Sequence, residues 1–459
     1  IYYVSDTLYS LTAEEVIELP NQNFTNLDTL LYPPLPVGHT DSIIITKPYS
    51  FDPDTANQRL DSIFLKAGNM DINLSSYINH TFQIEVRIPN LTKNGQSLVI
   101  SLPHNYSGSL PVNINQTIDL TDYLLILDNS PGNVNKLFIT YVLYVVGDND
   151  PINNPYTLNL TADLYDLQFS KLFGFIGQYG FPLTDSIDLA VFTSSLEGSI
   201  MIHEIKTFLN THNSFGMPMS VDILNFTTLV SSSATPVNIL NPGTIIPMPS
   251  PTIAQMGQFI DTTYQFDENN SGIVNAINTL PSSVLFDING ISNPANDTSK
   301  LNFILDTSRF TVDASFELPL YTSISGFVLE DTLDWKLDNI KELESALVTV
   351  ICDNGFPLSV DVKVFFTNDY FFKIDSLSNN PIIIESGIVG PAPDLKVISP
   401  SHNKFEIILD KDKLTKIADA TKMVFRASIS SYQAGDIKVY STDYFNFQIG
   451  VKTKIDLSY

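Results

Sequence analysis

Apolar and polar residues alternate along much of this chain, and that period of two constrains its fold more than any other feature. Phe82-Gln-Ile-Glu-Val-Arg-Ile88, Ser220-Val-Asp-Ile223, Ser359-Val-Asp-Val-Lys-Val-Phe365 and Phe445-Asn-Phe-Gln-Ile-Gly-Val451 each send every second side chain to one side. Strand side chains point to opposite faces in turn, so each run reads as a strand with one face toward a core. Helix signals are few. Thr12-Ala-Glu-Glu15 has capping-box spacing, Ser271 to Leu280 has room for two turns with Ser271 as N-cap, and Lys411 to Ala420 has room for three. None reads as the crossover helix of a parallel sheet. The expected fold is all-β, two related antiparallel β-sandwich domains with a few short helices.

The relation between the domains rests on an internal repeat. Phe181-Pro-Leu-Thr-Asp-Ser-Ile-Asp-Leu189 answers to Phe327-Val-Leu-Glu-Asp-Thr-Leu-Asp-Trp335, and Gly216-Met-Pro-Met-Ser-Val-Asp-Ile223 answers to Gly355-Phe-Pro-Leu-Ser-Val-Asp-Val362, in the same order. In the second pair the Gly and Pro suit a bend ahead of a strand whose Val residues face inward. Duplication of a β domain follows, with Val221 and Val360 on corresponding sites. A Pro- and Ser-rich stretch between the copies has the composition of a connector. The expected division is therefore an N-terminal β domain over 1–235, a connector over 236–252 and a C-terminal β domain over 253–459. Within the first of these, Leu31 to Pro53 carries five prolines and reads as an extended lead-in that joins a sheet at its edge.

The 459 residues are 43% hydrophobic, enough for full-sized cores, so disorder is not expected. Charged residues make up only 16%, leaving hydroxyl and amide groups to cover the surface. Fifty acidic against 24 basic residues give a formal charge of −26, which repels phosphate backbones and excludes nucleic acid as a partner. The longest apolar run, Leu137 to Val146, is far too short for a spanning helix. Ile1 in place of Met suggests a processed N-terminus, and a removed signal peptide is the expectation.

No motif announces chemistry. The six histidines lack zincin spacing, and His203-Glu204 misses the second His of a metalloprotease helix. Cys352 is the lone cysteine, sits among apolar residues and reads as a buried structural thiol. Asp267, Asn269 and Ser271 copy the first positions of a calcium loop, with Gly272 at its turn, but Asn278 stands where a bidentate Glu belongs. A solvated turn is the stronger reading there. Trp335 is the only tryptophan, which argues against a sugar-stacking platform. The expectation is a protein with no catalytic residues and no cofactor.

One short pattern is over-represented. Asp, then Ser or Thr, then Ala, Ile, Leu, Val, Met or Thr occurs at Thr7, Thr29, Ser42, Thr55, Ser62, Ser186, Thr262, Thr332 and Ser376. Chance would give roughly two or three. The pattern resembles the O-glycosylation acceptor of exported Bacteroidota proteins, although Asp-Thr turns would raise the count without any sugar.

Gly174-Phe-Ile-Gly-Gln-Tyr-Gly180 leading into Asp185-Ser-Ile187, Asn213-Ser-Phe-Gly-Met-Pro218, Leu280-Pro281, Asn293-Pro294, the second Gly355-Phe-Pro357 element and the alternating terminal strand from Tyr444 resemble large exported β proteins of Bacteroidota. The resemblance runs from about Ser75 to the C-terminus, and its motifs mark folding rather than chemistry. Within that set the chain is most similar to plug subunits of the type 9 secretion translocon. That resemblance implies a periplasmic, outer-membrane-associated protein whose partner is a large translocon β-barrel. An accessory lipoprotein of another barrel complex, or a carbohydrate- or lipid-binding envelope protein, are the alternatives. The Gly-x-Pro strand elements also resemble the water-stress and late-embryogenesis β sandwich, which bears on fold alone.

Overall fold

The computed structural model describes the chain except for residues 1, 5–7, 31–34, 54–56, 149–155, 189–196, 230–235, 337–341 and 456–459. It is all-β, with antiparallel pairing throughout. Two related sandwiches are present, as expected, and a further sandwich precedes them, making three along the chain.

The first is built from β3 (Gln22–Leu30), β4 (Thr40–Ser50), β5 (Arg59–Ser76), β6 (Phe82–Lys93), β7 (Gln96–His104), β8 (Val112–Asp119), β9 (Leu124–Ile126), β10 (Lys136–Val146) and β11 (Tyr156–Phe175). Strands β3, β11, β5 and β8 form one layer in that order, and β4, β10, β6 and β7 form the other. Short β9 pairs with both β5 and β6 and ties the layers together at one end. Alternation decides which side faces in. Met70, Ile72 and Leu74 of β5 and Ile84, Val86 and Ile88 of β6 are all 2% exposed or less, each contributing about 1.5–3 kcal/mol by leaving water. Pro48 of the lead-in lies as expected, since β4 is an edge strand and Pro48 sits on it opposite Phe138; Pro33 and Pro34 lie outside the described residues.

β5 and β11 bend together. Their register slips between Tyr165 and Lys171, where Asp166 has φ +53° and Gly68 φ +148°. A side chain at Gly68 would stand 2.8 Å from Leu167. Bulges of this kind kink a strand. One half of β5 thereby reaches β8 and the other half reaches β9.

The middle sandwich comprises β12 (Gly180–Asp188), β14 (Lys206–Asn213), β15 (Met219–Leu229), β16 (Thr244–Met248), β17 (Ile260–Phe266), β18 (Ser283–Ser292) and β20 (Arg309–Glu317). One sheet runs β12-β18-β15-β16 and the other β17-β14-β20. β1 (Tyr2–Val4) and β2 (Tyr9–Thr12), from the start of the chain, extend the second sheet by pairing with β20. β19 (Asn302–Leu305) instead pairs with β11, joining this sandwich to the first.

The last sandwich repeats that plan. β22 (Phe327–Asp334), β30 (Lys422–Ser431) and β24 (Leu358–Thr367) form one sheet, with β25 (Lys373–Ser376) and β26 (Ile382–Ile384) beside β24. β29 (Ser401–Leu409), β23 (Leu343–Asn354) and β32 (Phe445–Ile455) form the other. The register agrees residue by residue. Phe181, Gly290, Val221 and Ile246 lie abreast on β12, β18, β15 and β16, as Phe327, Ile429, Val360 and Ile384 do on β22, β30, β24 and β26. Asn213 lies between Ile260 and Phe310, as Asn354 lies between Ser401 and Phe445. A short helix precedes the central strand in both copies. Including α1 (Ala13–Val16), the described helices are α2 (Ile273–Ile277) before β18 and α3 (Lys411–Ile417) before β30.

The expected division of the chain needs correction. β14 pairs with β17, and β15 pairs with β16 and β18, so strands on both sides of 236–252 share two sheets. Pro-rich composition here marks the edge strand β16 and the turns around it inside the middle sandwich, not a boundary. The joint between the copies is β21 (Tyr321–Ser325), which pairs with β13 (Ser199–Ile202) on one side and β31 (Ile437–Lys438) on the other. β27 (Ile388–Val389) and β28 (Val397–Ser399) make a separate small hairpin.

Candidate functional site

The calcium-loop residues are occupied by their own backbone. Asp267 Oδ1 accepts the Asn269 N–H at 2.8 Å and its Oδ2 accepts the Gln265 amide at 2.8 Å. The Asn269 N–H first, then the Gln265 amide, hold the Asp267 carboxyl below its ordinary range. Ser271 Oγ turns away and donates to the Asp267 carbonyl at 2.7 Å. The Ser271 hydroxyl oxygen, still an acceptor, takes the Ile273 N–H at 3.4 Å, and the N-cap of α2 falls on Gly272 instead of Ser271. Only glycine fits there, since a Cβ would lie 2.3 Å from the Asn238 carbonyl oxygen. Among the described residues no group of three His, Cys, Asp or Glu is placed to hold a metal.

The other singled-out residues make contacts within the fold. Cys352 is 1% exposed on β23, and burial pushes its thiol up. Trp335 stands edge-on to Phe366 at 4.9 Å and donates its indole N–H to the Ile417 carbonyl. His203 packs against the Tyr321 ring at 4.6 Å. Thr12 donates both its backbone N–H and its hydroxyl to Glu15 Oε2, at 2.7 and 2.8 Å, which fixes the start of α1.

Of the nine glycosylation candidates, Thr7 and Thr55 lie outside the described residues. The other seven lie in strands, not in turns. Thr29, Ser42 and Ser186 are exposed, whereas Ser62, Thr262, Thr332 and Ser376 are half-buried. Asp41, Asp185, Asp331 and Asp375 each accept the N–H of the following Ser or Thr at 2.7–2.8 Å, a local contact that recurs in the pattern.

The chemistry the molecule does offer is apolar, and it differs between the duplicated copies. In the middle sandwich the sheets enclose a cavity of about 100 Å³ between Phe181, Leu183, Leu209, Phe286, Phe310 and Phe316. Leu8 and Tyr9, from the segment that carries β2, help line it, and the Tyr9 ring meets Phe310 edge-on at 6.4 Å. Phe310, Val312 and Ala314 of β20 are thereby held at 3–6% exposure.

In the last sandwich the equivalent face is open. Phe445, Phe447 and Ile449 of β32 stand where Phe310, Val312 and Ala314 stand on β20, yet they are 41%, 51% and 60% exposed. Val451, and Leu329 and Leu333 on β22, are exposed as well. Among the described residues β32 pairs with β23 alone. Its register partners Ala346, Val350 and Cys352 are buried, so the apolar side of β32 continues the inner face of its sheet. A further apolar group crowns the turn between β24 and β25. There the Asn368 carboxamide oxygen accepts the N–H groups of Tyr370 and Phe372 at 3.0 Å, which presents Tyr370, Phe371 and Phe372 to solvent.

The signal for these faces was in the sequence as the alternation of Phe445 to Val451, but alternation does not say whether the apolar side is covered. The sequence pattern assigned no role to the two residues that set the turn into each second element, although Asn213 opens one of the quoted motifs. Asn213 and Asn354, both 1% exposed, each accept the N–H two positions on, from Phe215 and Phe356 at 2.9 Å. Each also donates across to a neighbouring segment, at Pro249 and Glu385. The Gly-x-Pro pattern begins three residues after Asn213 and one residue after Asn354.

No model of a protein family matches the chain, and no curated protein matches it. Among solved structures, a Parabacteroides distasonis protein provisionally described as secreted is similar over 62% of this chain and 90% of its own, at 10% identity and a TM-score of 0.31. A triple jelly-roll protein from an archaeal virus turret assembly is similar over 93% of this chain and 97% of its own, at 9% identity and a TM-score of 0.12.

Proposed function

We propose that this chain is a non-catalytic, exported envelope protein that docks on a large outer-membrane β-barrel and seals the periplasmic opening of a type 9 secretion translocon. The observation that carries the docking reading is the uncovered inner face of the last sandwich, where Phe445, Phe447, Ile449 and Val451 of β32 stand in solvent and Leu329 and Leu333 of the facing sheet are exposed as well. Contiguous exposed apolar surface of this kind marks an interaction site. The identity of the partner rests on the sequence resemblance.

A pore wide enough for folded cargo leaks solutes unless it is capped. Preformed sandwiches suit a cap, because rigid sheets lose little entropy on docking. A net charge of −26 keeps the free subunit soluble between engagements. No helix among the described residues is long and apolar enough to cross a membrane. O-glycosylation at exposed Thr29, Ser42 and Ser186 fits an exported chain, and intact-mass measurement of protein from the native envelope checks it.

The test is capture of the chain from detergent-solubilised outer membrane together with deletion of its gene. The expected result is recovery of the translocon barrel, with deletion making the outer membrane permeable to large antibiotics only in cells that retain the barrel. Recovery of a different barrel assigns the chain to another complex as an accessory subunit. A second reading, lipid binding, draws on the apolar cavity of the middle sandwich, and extraction of the purified protein for bound lipid decides it.

A further inference from the structure

The duplication indicates what is missing from the last sandwich. In the middle copy, β20 is flanked by β14 on one side and by β1 and β2 on the other, both antiparallel. Tyr9 stands opposite Val312, Leu11 opposite Phe310 and Tyr3 opposite Phe316. Those positions of β20 correspond to Phe447, Phe445 and Val451 of β32, whose second edge has no strand among the described residues. An eleven-residue edge exposed along its whole length is a template for another strand.

We propose that the free edge of β32 is a docking site for an extended segment of a partner protein, added antiparallel, as β1 and β2 are added to β20. The segment is apolar at alternate positions, where it faces Phe445, Phe447, Ile449 and Val451. Backbone hydrogen bonds supply the affinity and the alternate side chains supply the selection. Its outward side chains are neutral or acidic. In a chain of net charge −26, β32 carries no acidic residue, and its other face presents Asn446, Gln448 and Lys452, with Lys454 paired to Glu344 at 2.8 Å.

A second copy of this chain is the weaker occupant. Its own N-terminal strands are already spent on β20, so moving them to β32 of a neighbour would uncover as much as it covers. Pairing two β32 edges would satisfy the backbones and enlarge the open apolar face instead of closing it. The inference rests on the docking reading above and gives its mode.

The probe is a labelled peptide of residues 2–12 of this chain, the segment that completes the equivalent edge, titrated into the full-length protein by fluorescence anisotropy. Expected are saturable binding and new protection of the 445–455 amides from hydrogen exchange. Phe447→Asp with Ile449→Asp should weaken binding at least tenfold while leaving the melting temperature unchanged, since both side chains are exposed. The same peptide with Leu11→Pro should not bind, because proline removes a ladder donor. Binding that survives either change overturns the proposal. So does a concentration-dependent dimer abolished by Phe447→Asp, which would make a second copy the occupant. Capture of the barrel separates the two readings. If the doubly substituted protein still recovers the barrel, strand addition is wrong and docking stands; if the native protein recovers no barrel, docking on a barrel is wrong whatever the peptide does.

Discussion

His402 of β29 meets Asp353 of β23, with Nδ1 2.6 Å from Oδ1, and at the same place in the middle sandwich the two residue types have changed sides. There His212 of β14 meets Asp261 of β17 at 2.7 Å. The pair has kept its complementarity while its members exchanged strands. Geometry therefore constrains the pair more than either residue.

Exchanging the members again should be tolerated. Asp353→His with His402→Asp is expected to stay within about 0.5 kcal/mol of the native protein. His402→Asp alone sets two carboxylates opposite each other and should cost about 0.5–1 kcal/mol at low salt, limited by the exposure of both groups. Urea unfolding followed by fluorescence of Trp335, which lies in this sandwich, reads the difference. Equal losses in the single and double variants would remove the pair from the account.

Equivalent valines should differ in what they tolerate. Val221 is 5% exposed inside a covered sandwich, and Val221→Asp is expected to cost about 3 kcal/mol or more by burying an unpaired charge. Val360 holds the same register position but is only half-buried. Val360→Asp should cost less than half as much. Calorimetry of the two variants would reject the assignment if the losses were equal.

Gly216 bridges to Phe303 through backbone hydrogen bonds, and a Cβ on it would lie 2.1 Å from the Phe303 ring. Gly216→Ala should destabilise by about 1–3 kcal/mol through overpacking. Phe303→Ala removes the obstacle, so the double variant should lose clearly less than the sum of the single ones. Additive losses in thermal melts would show that the ring is not the cause.

Acid should destabilise the fold over a definite window. Glu15, Asp119 and Asp297 are held below the usual carboxylate range chiefly by the hydroxyls of Thr12, Thr121 and Ser299, Asp128 and Asp267 chiefly by backbone N–H groups, and Asp334 by Lys422. A carboxyl with a depressed folded pKa binds fewer protons folded than unfolded. Its contribution is complete above the unfolded value of about 4 and disappears as pH falls through the lower folded value. The melting temperature is therefore expected to be flat from pH 8 to 5 and to fall below pH 4. A flat profile down to pH 2 would contradict it.

Much of the architecture was legible because strands announce their faces. The runs at Phe82, Ser220, Ser359 and Phe445 all became strands, and the paired blocks at Phe181 and Phe327 and at Val221 and Val360 came to rest in matching register. The number of sandwiches was not legible. Proline composition at 236–252 looks the same around an edge strand inside a domain as in a linker, and only the pairing of β15 with β18 distinguishes them. The open face was hidden for a related reason. Val312 and Phe447 occupy the same place in two copies of one fold, and what separates 6% from 51% exposure is a strand about 300 residues away in one case and its absence from the described residues in the other.

That distant strand also governs the order in which the protein can fold. β1 and β2 leave the ribosome or the export channel long before their partner β20, which comes after the whole first sandwich and most of the second. Closing a loop of about 300 residues in a disordered chain is entropically costly, and such long-range pairing is slow. The cost shrinks if the first sandwich collapses beforehand, because β19 then holds the neighbourhood of β20 against β11. Until that moment the middle sandwich passes through a state resembling the mature last one, with an inner face and a strand edge awaiting cover. During synthesis, then, the chain has a time in which its own first dozen residues compete with any other strand for β20, and a chaperone that shields such edges would act there.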